Sequence, residues 1–195
     1  MLAALIAVLR ITAMAGESPL SSYGLYLAPK SESPAVSREI PGAKATVLTV
    51  AREASSGPKP VSAREWDAAG LQWPDVVAAG IARAKSLEQS MTIRWQRDSR
   101  KVYQYAVIES ADPFISSVVF SPGFINHFKA FLGKEVLVVI PDRLTLFVFS
   151  RFDKVLDQVG PELVRRYEAA PNKVSLEVFL LAGGKGPQAI GKLGN

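Results

Sequence analysis

The pattern of apolar and polar positions divides the chain from residue 43 onward into short strands and helices. Six segments have the alternation or the β-branched, apolar content that is typical of strands. They are residues 43–52, 91–97, 102–109, 135–140, 143–149 and 174–181. The second and third segments flank a polar tip and predict a β-hairpin, and a tight turn at Pro141-Asp142 predicts another.

Helices are predicted where apolar residues recur every three or four positions. Ser62 and Glu65 have the spacing of a capping box, so a short helix should begin there and end at Gly70. Pro74 suits the first turn of a second helix, which should reach about Gln89. Two further helices are predicted over 122–132 and 153–169, and Pro161 should kink or break the latter.

The order of these elements predicts an α+β fold with one mixed, largely antiparallel sheet covered by helices. Residues 16–42 are rich in Pro, Gly and Ser and predict an irregular, exposed segment. Residues 182–195 are rich in Gly, with two lysines and no acidic residue, and predict a flexible tail. We therefore expect an N-terminal region at 1–42, a single α+β domain at 43–181 and a tail at 182–195.

The N-terminal residues invite comparison with an export signal. Residues 1–9 are apolar, and Ala13-Met14-Ala15 has the small-x-small form of a cleavage site. However, no Lys or Arg precedes the apolar stretch, and Arg10 interrupts it. We therefore expect a short amphipathic helix, or an extension upstream of a start at Met14. A cytoplasmic location is the first expectation, and export is the alternative.

Composition excludes several classes of site. The chain has 195 residues, of which 48% are hydrophobic and 21% charged, and these values exclude global disorder. No apolar run approaches the length of a membrane-spanning helix. There is no cysteine and one histidine, which excludes disulfides, thiolate ligands and sites with several histidines.

Charge permits contact with nucleic acid but does not single it out. The net charge is +5, from 23 basic and 18 acidic side chains. The excess is spread along the chain and forms no basic arm. The most concentrated basic stretch contains Arg94, Arg97, Arg100 and Lys101. With aromatic residues on the same predicted hairpin, it is a candidate for binding single-stranded nucleic acid, and the alternative is a solvated hairpin tip.

No catalytic set stands out. A Ser-His-Asp triad would need His127, which lies among aromatic neighbours and is interpreted as a partly buried helical histidine. No glycine-rich loop follows a strand and opens a helix, so no cofactor is expected. Acidic residues show no metal-loop pattern, and no metal site is predicted. Carboxylate chemistry around Asp112 and Asp142 remains an open alternative.

Two residues are candidates for contact with a partner. Trp95 lies on the predicted hairpin, where it either meets a partner or belongs to the core. Arg143 begins a strand directly after a turn, where it could bind a partner carboxylate. The favoured interpretation of Arg143 is a local ion pair with Asp142 or Asp112.

Three short stretches are similar to segments of a known family. They are residues 62–81, 112–119 and 138–146. Through them, about residues 43–181 resemble the YtpQ-like family of bacterial proteins of unknown function. The sequence departs from that family's pattern at Asp142, where the family has Asn, and at Leu144, where it has Asp. The family's Arg in the second stretch and its Asn near the end of the Ala-rich helix are absent here. The resemblance implies a fold and no established activity.

The sequence therefore favours a non-enzymatic protein that binds another macromolecule, and a protein partner is the first expectation. The contact surface should be the hairpin 91–105 and the sheet end near Arg143. The predicted partner-binding residues are Arg143, Asp142, Asp112 and Trp95. A nucleic-acid-associated protein using 94–101 is the first alternative, and a hydrolase with carboxylates at Asp112 and Asp142 is the second. The oligomeric state is left open.

Overall fold

The computed structural model describes residues 19–54 and 57–194. The expected N-terminal helix or signal at 1–15 lies outside the described residues. Among those described, none of the helices combines the length and the apolar character needed to cross a membrane.

The first part of the chain forms four strands and two helices, with short 3₁₀ helices before and after the first strand. The elements are β1 (Tyr23–Pro29), β2 (Ser37–Glu39), β3 (Thr46–Arg52), β4 (Lys59–Pro60), α1 (Ala63–Ala68) and α2 (Trp73–Ser90). The predicted capping box is present, since the Glu65 N–H donates to Ser62 Oγ at 3.2 Å and the Ser62 N–H donates to Glu65 Oε2 at 3.0 Å. Pro74 lies in the first turn of α2, as predicted.

The second part forms six strands and one long helix. The elements are β5 (Ile93–Arg97), β6 (Tyr103–Glu109), β7 (Glu135–Asp142), β8 (Thr145–Ser150), α3 (Val155–Ala169), β9 (Glu177–Ala182) and β10 (Gln188–Lys192). Both predicted hairpins are confirmed, since β5 pairs with β6 and β7 with β8, each antiparallel. The predicted turn at Pro141-Asp142 is wrong by two residues, because both belong to β7 and the chain turns at Arg143-Leu144. The helix α3 continues through Pro161.

The strands form two antiparallel sheets, and the α+β class is confirmed. The smaller sheet has the order β1-β3-β2, with β4 also paired to β3. The larger has the order β10-β9-β7-β8-β6-β5. The prediction placed every strand in one mixed sheet. It missed β1, which pairs with β3 along its whole length. Because of this pairing, β3 belongs to the smaller sheet and not to the six-stranded one.

Three local predictions are wrong. Residues 16–42 were expected to be irregular, but they contain β1, where Leu25, Tyr26 and Leu27 are at most 2% exposed. Residues 182–195 were expected to be a flexible tail, but β10 pairs with β9. The predicted helix at 122–132 is a 3₁₀ helix at Phe124–His127 followed by turns. In the first two segments, Pro and Gly concealed strands that are ordered by pairing with distant parts of the chain.

The six-stranded sheet buries apolar side chains on both faces. One face packs against the smaller sheet, α2 and a 3₁₀ helix at Ile115–Phe120. The other face packs against α3. Residues 136–140 are all at most 7% exposed, which confirms that this predicted strand is buried on both sides. The sheet is therefore a rigid base whose two edges and strand ends carry the polar groups described below.

Candidate functional site

Two of the predicted partner-binding residues lie where the chain passes from β7 to β8. Asp142 is the last residue of β7, and Arg143 begins the turn. Asp142 Oδ1 accepts a hydrogen bond from the Leu144 N–H at 2.9 Å, which closes the turn. Asp142 Oδ2 accepts one from Arg166 Nε of α3 at 3.1 Å. The turn is therefore fastened to the last turns of α3.

Four residues form a row of alternating charges across this end of the sheet. Arg166 donates to Asp142, as above, and its Nη2 lies 3.5 Å from Glu109 Oε1. The other oxygen of Glu109 lies 2.8 Å from Arg94 Nη2. This charge row (Arg94, Glu109, Arg166 and Asp142) connects the β5–β6 hairpin with the β7–β8 turn. Because most of its members are more than a third exposed, each pair should contribute less than about 1 kcal/mol to stability.

Arg143 is paired with a residue that the sequence did not suggest. Its Nη2 donates to Glu32 Oε1 at 3.1 Å and to Glu32 Oε2 at 2.9 Å. The predicted local pair with Asp142 or Asp112 is therefore wrong. Glu32 lies in the 3₁₀ helix Lys30–Glu32 that follows β1, a segment predicted to be irregular. One side of the guanidinium is thus already occupied by a carboxylate.

Tyr26 lies beneath the Arg143 guanidinium, whose carbon is 5.4 Å from the centre of the tyrosine ring. Tyr26 is fully buried, and its hydroxyl has no hydrogen-bond partner among the described residues. Burial raises the pKa of the Tyr26 hydroxyl, while the positive charge of Arg143 opposes that rise and the negative charge of Glu32 reinforces it.

A cleft of about 370 Å³ opens beside the β7–β8 turn. Its lining includes Asp142, Arg143, Thr145 and Arg166, with residues 169–172 on the far side. Both of its arginines already face carboxylates. The cleft therefore offers little uncompensated charge to a ligand.

Asp112, the third predicted partner-binding residue, lies between β6 and the Ile115–Phe120 helix. Its Oδ1 accepts the Phe114 N–H at 2.8 Å, and its Oδ2 lies 3.3 Å from Arg83 Nη2. Asp112 does not line the cleft beside Asp142. Each of the two carboxylates has its own arginine, so the geometry gives no support to a paired-carboxylate hydrolase.

Trp95 belongs to a cluster of four aromatic rings beside the hairpin. Its ring centre lies 5.1 Å from that of Tyr103, 5.0 Å from Phe131 and 5.9 Å from Phe128. Phe128 is fully buried, whereas Phe131 is 50% exposed. Trp95 is therefore partly buried and packs against the core, as one of its two predicted interpretations has it. Contact with a partner stays a prediction. We call Trp95, Val102, Tyr103 and Phe131 the hairpin surface.

The tip of this hairpin is held by one carboxylate. Asp98 Oδ1 accepts the N–H groups of Arg100 and Val102, each at 2.9 Å. The hydrogen bond from the Val102 N–H is the main cause that lowers the pKa of Asp98. Lys101 adopts a positive φ of 65° within the tip. Because these bonds order the turn, the side chains on either side of it have a defined direction.

Most cations of the basic stretch have local partners. Arg94 pairs with Glu109, and Arg100 lies 3.5 Å from Asp98. Arg97 donates to the Tyr103 hydroxyl and lies 4.2 Å above the Tyr103 ring. Lys101 has no such partner among the described residues. A phosphate group would have to compete with three of these existing contacts.

The structure also reveals a polar cluster that sequence reasoning missed. Glu88 of α2 is only 8% exposed, and it accepts a hydrogen bond from Ser121 Oγ. Its other oxygen lies 2.8 Å from His127 Nε2. The carboxylate lies between the serine and the histidine, so His127 cannot take the serine proton as it would in a Ser-His-Asp triad. No local signal predicts this cluster, because Glu88 is 33 residues from Ser121 and 39 from His127.

Metal ligands do not converge in the described part of the chain, where no group of three or more His, Asp or Glu side chains could hold an ion. Comparison with protein-family models, curated proteins and solved structures gave no match. The site is therefore interpreted from its own geometry.

Proposed function

We propose that this protein binds an extended, acidic segment of another protein along the outer edge of β5. The observation that carries the proposal is a half-exposed aromatic cluster beside an edge strand. In this arrangement the hairpin surface receives an apolar side chain of the bound segment. The protein acts by recognition and performs no chemistry on its partner.

The edge of the sheet supports an extended partner. β5 ends the strand order and pairs with β6 alone among the described strands. Its outer backbone N–H and C=O groups can therefore pair with an added strand, a common mode of peptide recognition. A bulge between Gln96 and Arg97 limits the regular edge to the start of β5.

The hairpin surface supports an apolar contact. Val102 is 51% exposed and Phe131 is 50% exposed, and the Phe131 ring packs 4.1 Å from Tyr103, centre to centre. Rings held in place by one another lose little conformational freedom when a partner covers them. Large aromatic side chains of this kind supply much of the free energy at protein interfaces.

The charges support an acidic partner. Lys101, Lys129 and Lys134 are exposed, make no ion pair within the described part of the chain, and lie close in sequence to Val102 or Phe131. The nearby Asp98 carboxylate is engaged by backbone N–H groups of the tip. The positive groups therefore favour an acidic segment and would speed its association.

Nucleic-acid binding is the weaker alternative, because three of the four cations in the basic stretch already have local partners. The YtpQ-like resemblance stays a prediction and adds no activity to either interpretation. An experiment should therefore offer both kinds of ligand to the same protein.

The test is selection of peptides from a random displayed library, with fluorescence titration of the selected peptides. We expect enriched peptides to combine acidic and aromatic or large apolar residues. The variant Phe131→Glu should bind them at least about tenfold more weakly, because it places a negative charge in the apolar contact. The matched control is Leu144→Glu, since Leu144 is 39% exposed and lies in the turn between β7 and β8, at the opposite end of β6 and β8 from the hairpin tip.

Three outcomes would overturn the proposal. The first is that no acidic peptide is enriched. The second is equal loss of binding in both variants, and the third is no loss in Phe131→Glu. If the protein bound an oligothymidine probe and no peptide, with an affinity that falls steeply as salt rises, the hairpin surface would be a nucleic-acid-binding surface.

A further inference from the structure

The opposite edge of the six-stranded sheet carries two clefts that the function proposed above does not use. One has a volume of about 440 Å³ and lies between the turn before β3 and strand β10. The other has about 410 Å³ and lies beside the start of β9. Both clefts are lined by Lys44, Ala45 and Lys192, so these three residues lie at the boundary between them.

Glu177, the first residue of β9, lines the larger cleft and is only 4% exposed. Its Oε1 accepts the Lys44 N–H at 2.6 Å and the Ala45 N–H at 3.0 Å. Its Oε2 is buried and has no hydrogen-bond partner among the described residues. A buried carboxylate oxygen without a donor carries a desolvation cost of roughly 1–3 kcal/mol or more, which a donor from a ligand would relieve.

Two lysines line the same cleft without an acidic partner among the described residues. Lys44 and Lys192 are both exposed, and neither makes an ion pair within the described part of the chain. Lys192 lies directly opposite Glu177 in the β9–β10 pairing. The cleft thus combines a buried negative group with positive groups near its opening.

The walls of the cleft are held by backbone contacts. The Ala189 N–H donates to the Pro41 carbonyl at 2.8 Å. Gly42 has a φ of +76°, and a Cβ there would lie 2.2 Å from the Ala189 carbonyl oxygen. The turn therefore approaches β10 so closely that only glycine fits. The remaining lining is largely apolar and includes Ala45, Ala189 and Ile190.

We propose that this cleft binds a small zwitterion, an α-amino acid with an apolar side chain. Its ammonium group donates to Glu177 Oε2, and its carboxylate lies between Lys44 and Lys192. Its side chain contacts the apolar wall. A small number of polar groups that fix orientation within an apolar lining is the usual composition of a small-molecule site.

The test is an NMR titration of backbone amides with leucine, valine and methionine. Two analogues of leucine each lack one charge: 4-methylpentanoate lacks the ammonium, and 3-methylbutylamine lacks the carboxylate. We expect leucine to shift the amides of residues 42–45 and 188–192. Each analogue should bind at least about tenfold more weakly than leucine, because it loses one charge-assisted contact.

The variant Glu177→Gln keeps an oxygen for the Lys44 and Ala45 N–H groups but removes the charge, so the fold is retained while leucine binding falls at least about tenfold. Lys44→Met and Lys192→Met should each weaken binding severalfold. Lys154→Met is the control, because Lys154 is exposed at the start of α3 and lines neither cleft. Phe131→Glu should bind leucine normally, which separates this proposal from the function proposed for β5.

The proposal is overturned if none of the three amino acids shifts these amides at millimolar concentration. It is also overturned if Glu177→Gln binds leucine as well as the unaltered protein does, or if 3-methylbutylamine binds as tightly as leucine. Should Glu177→Gln fail to fold, the two analogues and the lysine variants decide between the same outcomes.

Discussion

The two edges of the six-stranded sheet differ in which groups are exposed and which are paired. At the β5 edge, Val102 and Phe131 are about half exposed, while the neighbouring arginines already have local partners. At the β10 edge, Glu177 is buried with an unpartnered oxygen, while Lys44 and Lys192 face solvent.

The difference arises from what covers each edge. The turn at 40–45, which belongs to the smaller sheet, lies against β10 and excludes water from Glu177. No described segment pairs with the outer side of β5. Exposed rings and a buried unpaired carboxylate are both unfavourable in the isolated protein, and each would be relieved by a ligand of the matching chemistry. The contrast therefore points to a macromolecule at one edge and a small molecule at the other.

The largest expected effect on stability comes from a substitution in the turn that covers the β10 edge. Gly42→Ala should lower the free energy of unfolding by about 3 kcal/mol, because it combines left-handed backbone strain with a clash against a backbone oxygen. Gly184→Ala is a close match, since its φ is +75° and no atom lies within 4 Å of the added Cβ. It should cost about 1–2 kcal/mol, from strain alone. Urea denaturation of both variants measures the difference, and equal costs would show that the close approach to Ala189 is unimportant.

An intermediate effect on stability distinguishes the aromatic residues of the β5 edge that pack in the core from those that lie at the surface. Trp95→Ala should cost about 2 kcal/mol, since it removes a partly buried ring that contacts three others. Phe131→Ala should cost less than about 1 kcal/mol, because half of that side chain is already in water. Thermal and chemical unfolding measure both. If Phe131→Ala proved as costly as Trp95→Ala, Phe131 would belong to the core, and its exposure would no longer indicate a binding surface.

The smallest effect concerns a second buried polar atom without a partner. The Tyr26 hydroxyl is enclosed, whereas Glu177 lines a cleft. Tyr26→Phe should therefore leave the free energy of unfolding unchanged or raise it by up to about 1 kcal/mol. Urea denaturation at neutral pH measures the change. If Tyr26→Phe instead lowered the free energy of unfolding by more than about 1 kcal/mol, the hydroxyl would have a hydrogen-bond partner.

Alkaline pH provides a second readout for Tyr26. Burial raises the pKa of this hydroxyl above its usual value, so the native state retains the proton after an unfolded tyrosine, with a pKa of about 10, has lost it. The unfolded state then binds fewer protons, and the Tyr26 contribution to stability is present below that pH and falls as pH rises above it. Tyr26→Phe should decline less steeply than the unaltered protein above about pH 10. Identical declines would contradict the raised pKa.

Sequence reasoning succeeded where the determinants were local. The capping box of Ser62 and Glu65 involves positions three residues apart, and the hairpins are marked by alternation and a polar tip. It failed for β1 and β10, which lie near Pro and Gly and are ordered by pairing with β3 and β9. It placed Trp95 and Arg143 at informative positions but assigned the wrong partner to Arg143.

The sequence by itself therefore determined the α+β class, most helix boundaries and both hairpins, because hydrogen bonds and apolar periodicity within a few residues specify them. Only the tertiary structure decided which charged groups meet. Glu32 reaches Arg143 across 111 residues, and Glu177 reaches the Lys44 N–H across 133. Contacts at such separations depend on how the two sheets pack together, and no local pattern encodes which acidic residue will face which donor.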